Sequence, residues 1–117
     1  MNTVIERKVE DAMKFIINGR TFDTAGSIKV AFARGINHPS YNNNPWDCEV
    51  RYENTLYRTV KGSFFVHTHQ TQKFVKGGRP VVIDEADENS AEEAIEWIKK
   101  NGAVVIDDAG LPMPDEA

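Results

Sequence analysis

The stretch that decides the fold is residues 53–69, ENTLYRTVKGSFFVHTH. Its β-branched and aromatic residues on either side of Lys61-Gly62 predict a hairpin, in which TLYRTV returns as SFFVHTH. If Lys61 and Gly62 form a two-residue turn, Arg58 faces Phe65 and Leu56 faces His67. Side chains alternate along each strand, so one face combines Leu56, Arg58, Val60, Ser63, Phe65 and His67. Neither face is cleanly polar, which predicts that one packs on helices and the other remains an interaction surface.

The residues before this hairpin predict a smaller hairpin followed by a helix. MKFII and RTF flank Asn18-Gly19, a strong signal for a tight turn. Asp23 and Thr24 are good N-cap residues for a helix over AGSIKVAFAR (25–34), and Gly35 is a good stop. The proline- and asparagine-rich segment 36–47 predicts a loop, and CEVRYE (48–53) predicts a separate strand that turns at Glu53-Asn54.

The residues after the central hairpin predict a loop, a strand, a helix and a strand. QTQKFVKGG (70–78) has the composition of a basic loop, and PVVID predicts a short strand. ADENSAEEAIEWIKKNG predicts a helix with a Ser90–Glu93 capping box and a Gly102 stop. AVVID repeats the earlier VVID, and a strand–helix–strand unit of this length can place the two strands in parallel.

Together these elements predict an α+β fold with an antiparallel sheet of about five strands, two packing helices and a C-terminal βαβ unit. A chain of 117 residues is long enough for one core. We therefore expect a charged lead-in over residues 1–12, a single α+β domain over 13–108 and an acidic tail over 109–117.

Composition predicts a cytoplasmic protein without a membrane segment. The apolar fraction is 40%, and no apolar run approaches the roughly 20 residues of a membrane span. The N-terminus MNTVIERKVED is charged where a signal peptide would be apolar. The single cysteine, Cys48, cannot form an internal disulfide, which fits a reducing compartment.

Charge is divided unevenly along the chain. Residues 1–80 carry twelve Lys and Arg against seven Asp and Glu, a balance of +5, whereas residues 81–117 carry two against eleven, a balance of −9. An asymmetry of this kind bears on partners, because a surface of one sign steers association.

Catalytic and metal-binding motifs are sparse. His67 and His69 are two apart on a predicted strand and point the same way, which is a geometry that binds transition metals, but the sequence does not identify a third ligand. No nucleophile elbow, phosphate-binding glycine loop or metal-binding helix motif is present. The sequence therefore predicts a non-enzymatic protein with no catalytic residue, no cofactor and no metal, and the histidine pair is interpreted as two strand residues near solvent.

Basic and aromatic residues of the central strands favour a second interpretation, nucleic-acid binding. A sheet face carrying Tyr57, Arg58, Phe65 and His67 could track a phosphate backbone and stack bases. The seven carboxylates between residues 84 and 96 oppose this, because they would repel phosphates.

The chain resembles a group of small, mostly uncharacterised proteins encoded by phages and other mobile elements. The similarity lies in TLYRT at 55–59, Lys61-Gly62, Phe65 and His67, in EEAIEW at 92–97, and in KFIINGRTFDT at 14–24. The group continues after the histidine with a glycine-rich segment, where this chain has THQTQ. The resemblance implies a mobile-element accessory protein of the host cytoplasm, such as an anti-CRISPR-type inhibitor that binds a host defence complex stoichiometrically.

The predicted partner is a host protein or ribonucleoprotein complex with a basic surface. Carboxylates on a rigid helix and its leading segment can occupy a basic channel in place of phosphates. The residues expected to make this contact are Asp84, Glu85, Asp87, Glu88, Glu92, Glu93 and Glu96. Oligomeric state is left open by the sequence.

Overall fold

The computed structural model describes residues 12–39, 48–74 and 77–113. Most of the predicted lead-in, most of the asparagine-rich loop and the end of the predicted tail lie outside these residues. The described part contains seven strands and one helix, so the α+β class holds in its coarse form. The main sheet has five strands, as predicted, and a two-stranded hairpin accompanies it. Only one of the two predicted helices is present among the described residues.

The N-terminal hairpin forms as predicted. Strand β1 (Lys14–Ile17) pairs antiparallel with β2 (Arg20–Asp23). Asn18 and Gly19 both take positive φ, 51° and 76°, as a two-residue hairpin turn of this type requires. The Asn-Gly signal therefore specifies both the turn and the register.

The helix predicted over residues 25–34 is wrong, because this segment forms strand β3 (Ile28–Asn37). A register shift between Lys29 and Ala31 interrupts the pairing of β3 with its neighbour. This irregularity leaves the consecutive residues Val30 and Ala31 both fully buried. Two adjacent apolar residues in the core break the alternation expected of a strand. The resulting spacing of apolar residues resembles that of one helical face, which explains the wrong prediction.

The two strands predicted around Glu53-Asn54 are a single strand, β4 (Cys48–Arg58). Strand β5 (Phe64–Phe74) is also longer than predicted, because it continues through QTQKF, which the sequence placed in a loop. The two strands pair along their whole length, from Cys48 with Phe74 to Arg58 with Phe64. Pairing in a central strand overrides the weak turn signal of Glu53-Asn54.

The predicted register of the central hairpin is wrong by one residue. Arg58 pairs with Phe64 instead of Phe65, and Leu56 pairs with Val66 instead of His67. The backbone N–H of Thr59 donates to the carbonyl of Ser63, so the connection is longer than two residues. Gly62 takes a positive φ of 89°. A one-residue slip moves every side chain of a strand to the other face relative to its partner. Leu56 therefore shares a face with Val66, and Tyr57 shares the opposite face with Phe65.

The C-terminal third adds the two sheet edges and the helix. Strand β6 (Val81–Asn89) pairs with β5, and helix α1 (Ala91–Asn101) follows at once. The sheet order is β6-β5-β4-β3-β7, where β7 (Val104–Val105) pairs antiparallel with β3 at the far edge. The predicted βαβ unit is therefore wrong: α1 carries the chain across the sheet, and β6 and β7 are not neighbours.

Helix α1 begins and ends as predicted. The Ser90 hydroxyl accepts from the Glu93 backbone N–H at 3.1 Å, and the Glu93 carboxylate accepts from the Ser90 N–H at 2.8 Å. Gly102 ends the helix in the left-handed region. No helix among the described residues is long and apolar enough to cross a membrane.

The sheet has a small core on each side. On the helix side, Ala94 and Ile98 of α1 belong to the cluster that contains Leu56 and Val66. On the other side, the β1–β2 hairpin covers a cluster of Phe22, Tyr57 and Phe65. Leu111 is 5% exposed and belongs to the helix-side core, so residues 109–113 are not a separate tail.

Candidate functional site

The seven carboxylates predicted to form one surface lie on different faces of the fold. Because side chains alternate along β6, Asp84 and Glu88 point to the hairpin side of the sheet, and Glu85 and Asp87 point to the helix side. The sequence predicts that the strand ends at Asp84 and that the following residues lead directly into the helix, which would bring these carboxylates together. The strand instead runs on to Asn89. The strand separates them.

Three of the seven carboxylates have partners that explain their positions. Asp84 contacts two histidines, and Glu88 accepts from Arg20 of the β1–β2 hairpin at 2.6 Å. Glu93 completes the helix cap, and its hydrogen bonds to the Ser90 backbone and side chain lower the pKa of its carboxyl. These groups stabilise the fold, so they are poor choices for a partner surface.

The other four carboxylates lie in solvent around the strand–helix junction. Glu85, Asp87, Glu92 and Glu96 are all exposed. Glu96 has a weak contact with Lys99, at 3.9 Å. Within the described residues, Glu85, Asp87 and Glu92 have no ion pair. We call Glu85, Asp87, Glu92 and Glu96 the acidic surface.

A second cluster forms on the hairpin side, where β5 and β6 bring His67, His69 and Asp84 together. His69 is directly opposite Asp84 in the β5–β6 register, and His67 lies two residues along β5 on the same face. The Nε2 atom of His67 is 2.8 Å from Asp84 Oδ1, and the Nδ1 atom of His69 is 2.7 Å from the same oxygen. One carboxylate oxygen therefore holds both imidazoles.

The protonation of this cluster follows from its geometry. Burial raises the pKa of the Asp84 carboxyl, but the hydrogen bonds and charges of His69 and His67 outweigh it, so the net shift is downward. An ionised carboxylate can only accept hydrogen bonds. His67 Nε2 and His69 Nδ1 therefore both donate to it.

The exposed fraction of the three side chains increases from one side of the cluster to the other. The side chains of His67 and Asp84 are 13% and 18% exposed, whereas that of His69 is 46% exposed. The Phe15 ring packs on the His67 ring with centroids 5.1 Å apart, which fixes the imidazole plane. The cluster thus has a rigid inner side and an open outer side.

The open side faces a cleft of about 340 Å³. Its walls include Lys29 and Glu53, together with the hydroxyl-bearing side chains of Thr55 and Tyr57. Burial and the nearby Glu53 charge raise the pKa of the Tyr57 hydroxyl, although a hydrogen bond with Thr55 opposes them. The cleft therefore combines the Tyr57 phenol with the Glu53 and Lys29 side chains beside the histidines.

The alternative nucleic-acid face does not exist as one surface. Tyr57 and Phe65 are 6% and 0% exposed, and their rings stack on each other with centroids 5.0 Å apart. Arg58 lies next to Tyr57 on β4, so it points to the opposite face of the sheet. Aromatic rings buried beneath a hairpin cannot stack bases, so the residues predicted for nucleic-acid binding do not form one exposed face.

Sequence reasoning missed the role of Asp84. The sequence places His67 and His69 on one strand face, but it groups Asp84 with the seven partner-binding carboxylates because the predicted strand PVVID ends at Asp84. A signal was available: if the strand runs through DEADEN, Asp84, Ala86 and Glu88 alternate onto one face. Only the pairing register then brings Asp84 opposite His69.

Comparisons with protein-family models, with curated proteins and with solved structures found no match to this chain.

Proposed function

We propose that this protein is a non-enzymatic accessory protein of a phage or other mobile element, which inhibits a host defence complex by stoichiometric binding through its acidic surface. The observation that carries the proposal is the exposed set Glu85, Asp87 and Glu92, which has no cationic partner within the described residues. Carboxylates kept in solvent without partners remain available to a basic protein.

The position of these groups suits such a contact. Glu85 and Asp87 lie on β6, which is one of the two edge strands of the sheet, and Glu92 is in the first turn of α1. The capping box fixes the start of the helix relative to the strand, so the charges have a fixed spacing. A rigid row of negative charge at an edge can enter a groove lined with Lys and Arg, as the nucleic-acid channels of RNA-guided effector complexes are.

Binding of this kind should be fast and sensitive to salt, because exposed charges are screened beyond about 8 Å at physiological ionic strength. The test uses purified RNA-guided effector complexes, with their DNA binding measured as the protein is titrated in. Inhibition that is complete near one protein per complex supports the proposal.

A matched pair of variants locates the contact. E85K/D87K reverses two charges on the helix side of the sheet, and E49K/E53K reverses two charges on β4 on the other side. Both variants change the net charge equally. We expect the first to lose inhibition and the second to retain it. Equal inhibition by both variants would exclude the acidic surface.

A gel shift with single-stranded DNA and RNA at two salt concentrations tests the other class of function. An inhibitor that uses carboxylates should shift neither. Binding that weakens steeply as salt rises would instead indicate a nucleic-acid-binding factor.

A further inference from the structure

We propose that His67, His69 and Asp84 form a binding site for a divalent transition-metal ion, with Zn²⁺ as the ion that suits it best. The site lies on the opposite side of the sheet from the acidic surface, and it does not depend on the proposed function. The sequence predicts no metal because it does not identify a third ligand, and Asp84, directly opposite His69, is a candidate for that ligand.

The three ligand atoms already converge. One atom from each of the three side chains can be chosen so that all lie within 4.8 Å of one another. Zinc bonds of about 2.0–2.1 Å place neighbouring ligand atoms of a tetrahedral site about 3.4 Å apart. The two nitrogens lie 2.8 and 2.7 Å from Asp84 Oδ1, so each nitrogen–oxygen distance would have to lengthen by about 0.6–0.7 Å.

The backbone supports the site on two paired strands. His67 and His69 point the same way because they are two apart on β5, and the register fixes Asp84 across from His69. Sites built on strands hold their ligands more firmly than sites on loops. The Phe15 ring restrains the His67 imidazole, which lowers the entropy lost on metal binding.

Metal binding changes which ring nitrogens of His67 and His69 carry protons. In the metal-free protein, His67 Nε2 and His69 Nδ1 carry protons that they donate to Asp84. The ligating nitrogen of each imidazole must be free of its proton, so each ring bound to the ion keeps one proton, on its other nitrogen, and any second proton leaves to solvent. Binding then replaces two hydrogen bonds to Asp84 with two metal–nitrogen bonds, and Asp84 contributes an oxygen ligand.

The donor set selects the class of ion. Imidazole favours zinc, copper, iron and nickel, whereas magnesium and calcium prefer sites made of oxygen ligands alone. Two histidines and one carboxylate leave at least one coordination position open, and the 46% exposure of His69 places that position toward the cleft. Water, or a small anionic ligand beside Lys29 and Tyr57, would complete the coordination.

The test measures binding of ZnCl₂, MgCl₂ and CaCl₂ to untagged, chelator-treated protein by isothermal titration calorimetry. We expect one Zn²⁺ per chain and no saturable binding of Mg²⁺ or Ca²⁺. Loss of a residue that only orients a metal ligand weakens metal binding by about 10–100-fold. H69A and D84N each remove a ligand, so each should weaken zinc binding by more than this. H69A is the safer of the two for folding, because His69 is the exposed member of the cluster.

Two control variants each remove a histidine or a carboxylate that lies outside the cluster. H38A removes the remaining histidine of the chain, and D87N removes a carboxylate from the same strand on the opposite face. Both should bind zinc as the wild type does. The proposal is overturned if the folded wild-type protein fails to bind zinc, if H69A and D84N bind it normally, or if Mg²⁺ competes equally.

Discussion

Gly35 lies directly across from Tyr52 in the β3–β4 pairing, and the Tyr52 ring covers the space that a side chain at Gly35 would occupy. A methyl group added to Gly35 would lie 2.7 Å from the Tyr52 ring carbon that bears the hydroxyl. The ring must therefore move for any larger residue to fit. Gly35, which the sequence suggested as a helix stop, is instead a packing position in a strand.

This relationship predicts a change of sign in a double-mutant cycle. G35A alone should reduce the free energy of unfolding by about 0.5–1 kcal/mol, because the half-buried Tyr52 ring must turn away from the new methyl group. In a Y52A background the same substitution should be neutral or stabilising by about 0.5–1 kcal/mol, because alanine suits a strand better than glycine. Urea unfolding of the four proteins measures both steps. Equal effects in the two backgrounds would contradict the packing argument.

The hairpin-side core predicts a large cost for truncating Phe65. This residue is 0% exposed and contacts both Tyr57 and Phe22, so F65A should cost about 3–5 kcal/mol. V60A is the control, because Val60 is 90% exposed in the β4–β5 connection and its truncation should change stability by less than about 0.5 kcal/mol. Thermal or denaturant unfolding of both variants would show the contrast, and similar values would contradict the observed register.

The capping box predicts a pH dependence confined to acid. S90A should cost about 1 kcal/mol at neutral pH through loss of the N-cap. The pKa of the Glu93 carboxyl is lower in the folded protein than its ordinary value of 4.5, so the folded state binds fewer protons there than the unfolded state. Its stabilising contribution is therefore present above pH 4.5 and is lost as the pH falls through the folded pKa.

E93Q is the variant that isolates this effect, because glutamine can still accept the Ser90 N–H but does not titrate. Its unfolding free energy should fall less than that of the wild type as the pH is lowered from 5 to 3. Parallel pH curves for the two proteins would show that the carboxylate of Glu93 is not engaged in solution.

Tyr57 predicts a second pH effect, at the alkaline end. Burial and Glu53 raise the pKa of its hydroxyl above the ordinary 10.0. Between the unfolded and the folded pKa the folded state holds a proton that the unfolded state has lost, so stability declines as the pH rises through that window. Ultraviolet titration should show a phenol that ionises above pH 10 in the wild type and is missing in Y57F. A wild-type curve with every tyrosine titrating at or below pH 10 would contradict the buried position.

The predictable parts of the fold were those decided by local chemistry. Asn18-Gly19 specifies its turn because few other residues accept positive φ at both positions. Ser90, Glu93 and Gly102 specify the helix because caps satisfy backbone groups within a few residues of chain. In each case the atoms that determine the structure are neighbours in the sequence.

The parts that could not be predicted depend on partners far away in the chain. Val30 and Ala31 suit a helix or a strand equally, and pairing with β4 decides between them. The register of Tyr57 with Phe65 depends on how the chain passes through residues 59–63. Asp84 meets His69 only because β6 pairs with β5 in one register, which is why the candidate metal site was not visible from spacing alone.

The outer edge of β6 has a further consequence, for self-association. No described strand pairs with this edge, so its free N–H and C=O groups could recruit a strand from another copy of the chain and start an aggregate. Charged side chains along an edge discourage such pairing, and Asp84, Glu85, Asp87 and Glu88 place carboxylates on both faces of it. Lysine protects an edge as well as glutamate does, so E85K/D87K should stay dispersed. Neutral replacements at the same positions would leave an edge strand with less charge and with Val81 and Val82, 45% and 57% exposed, at its start. Such a strand should pair with other copies of the chain more readily.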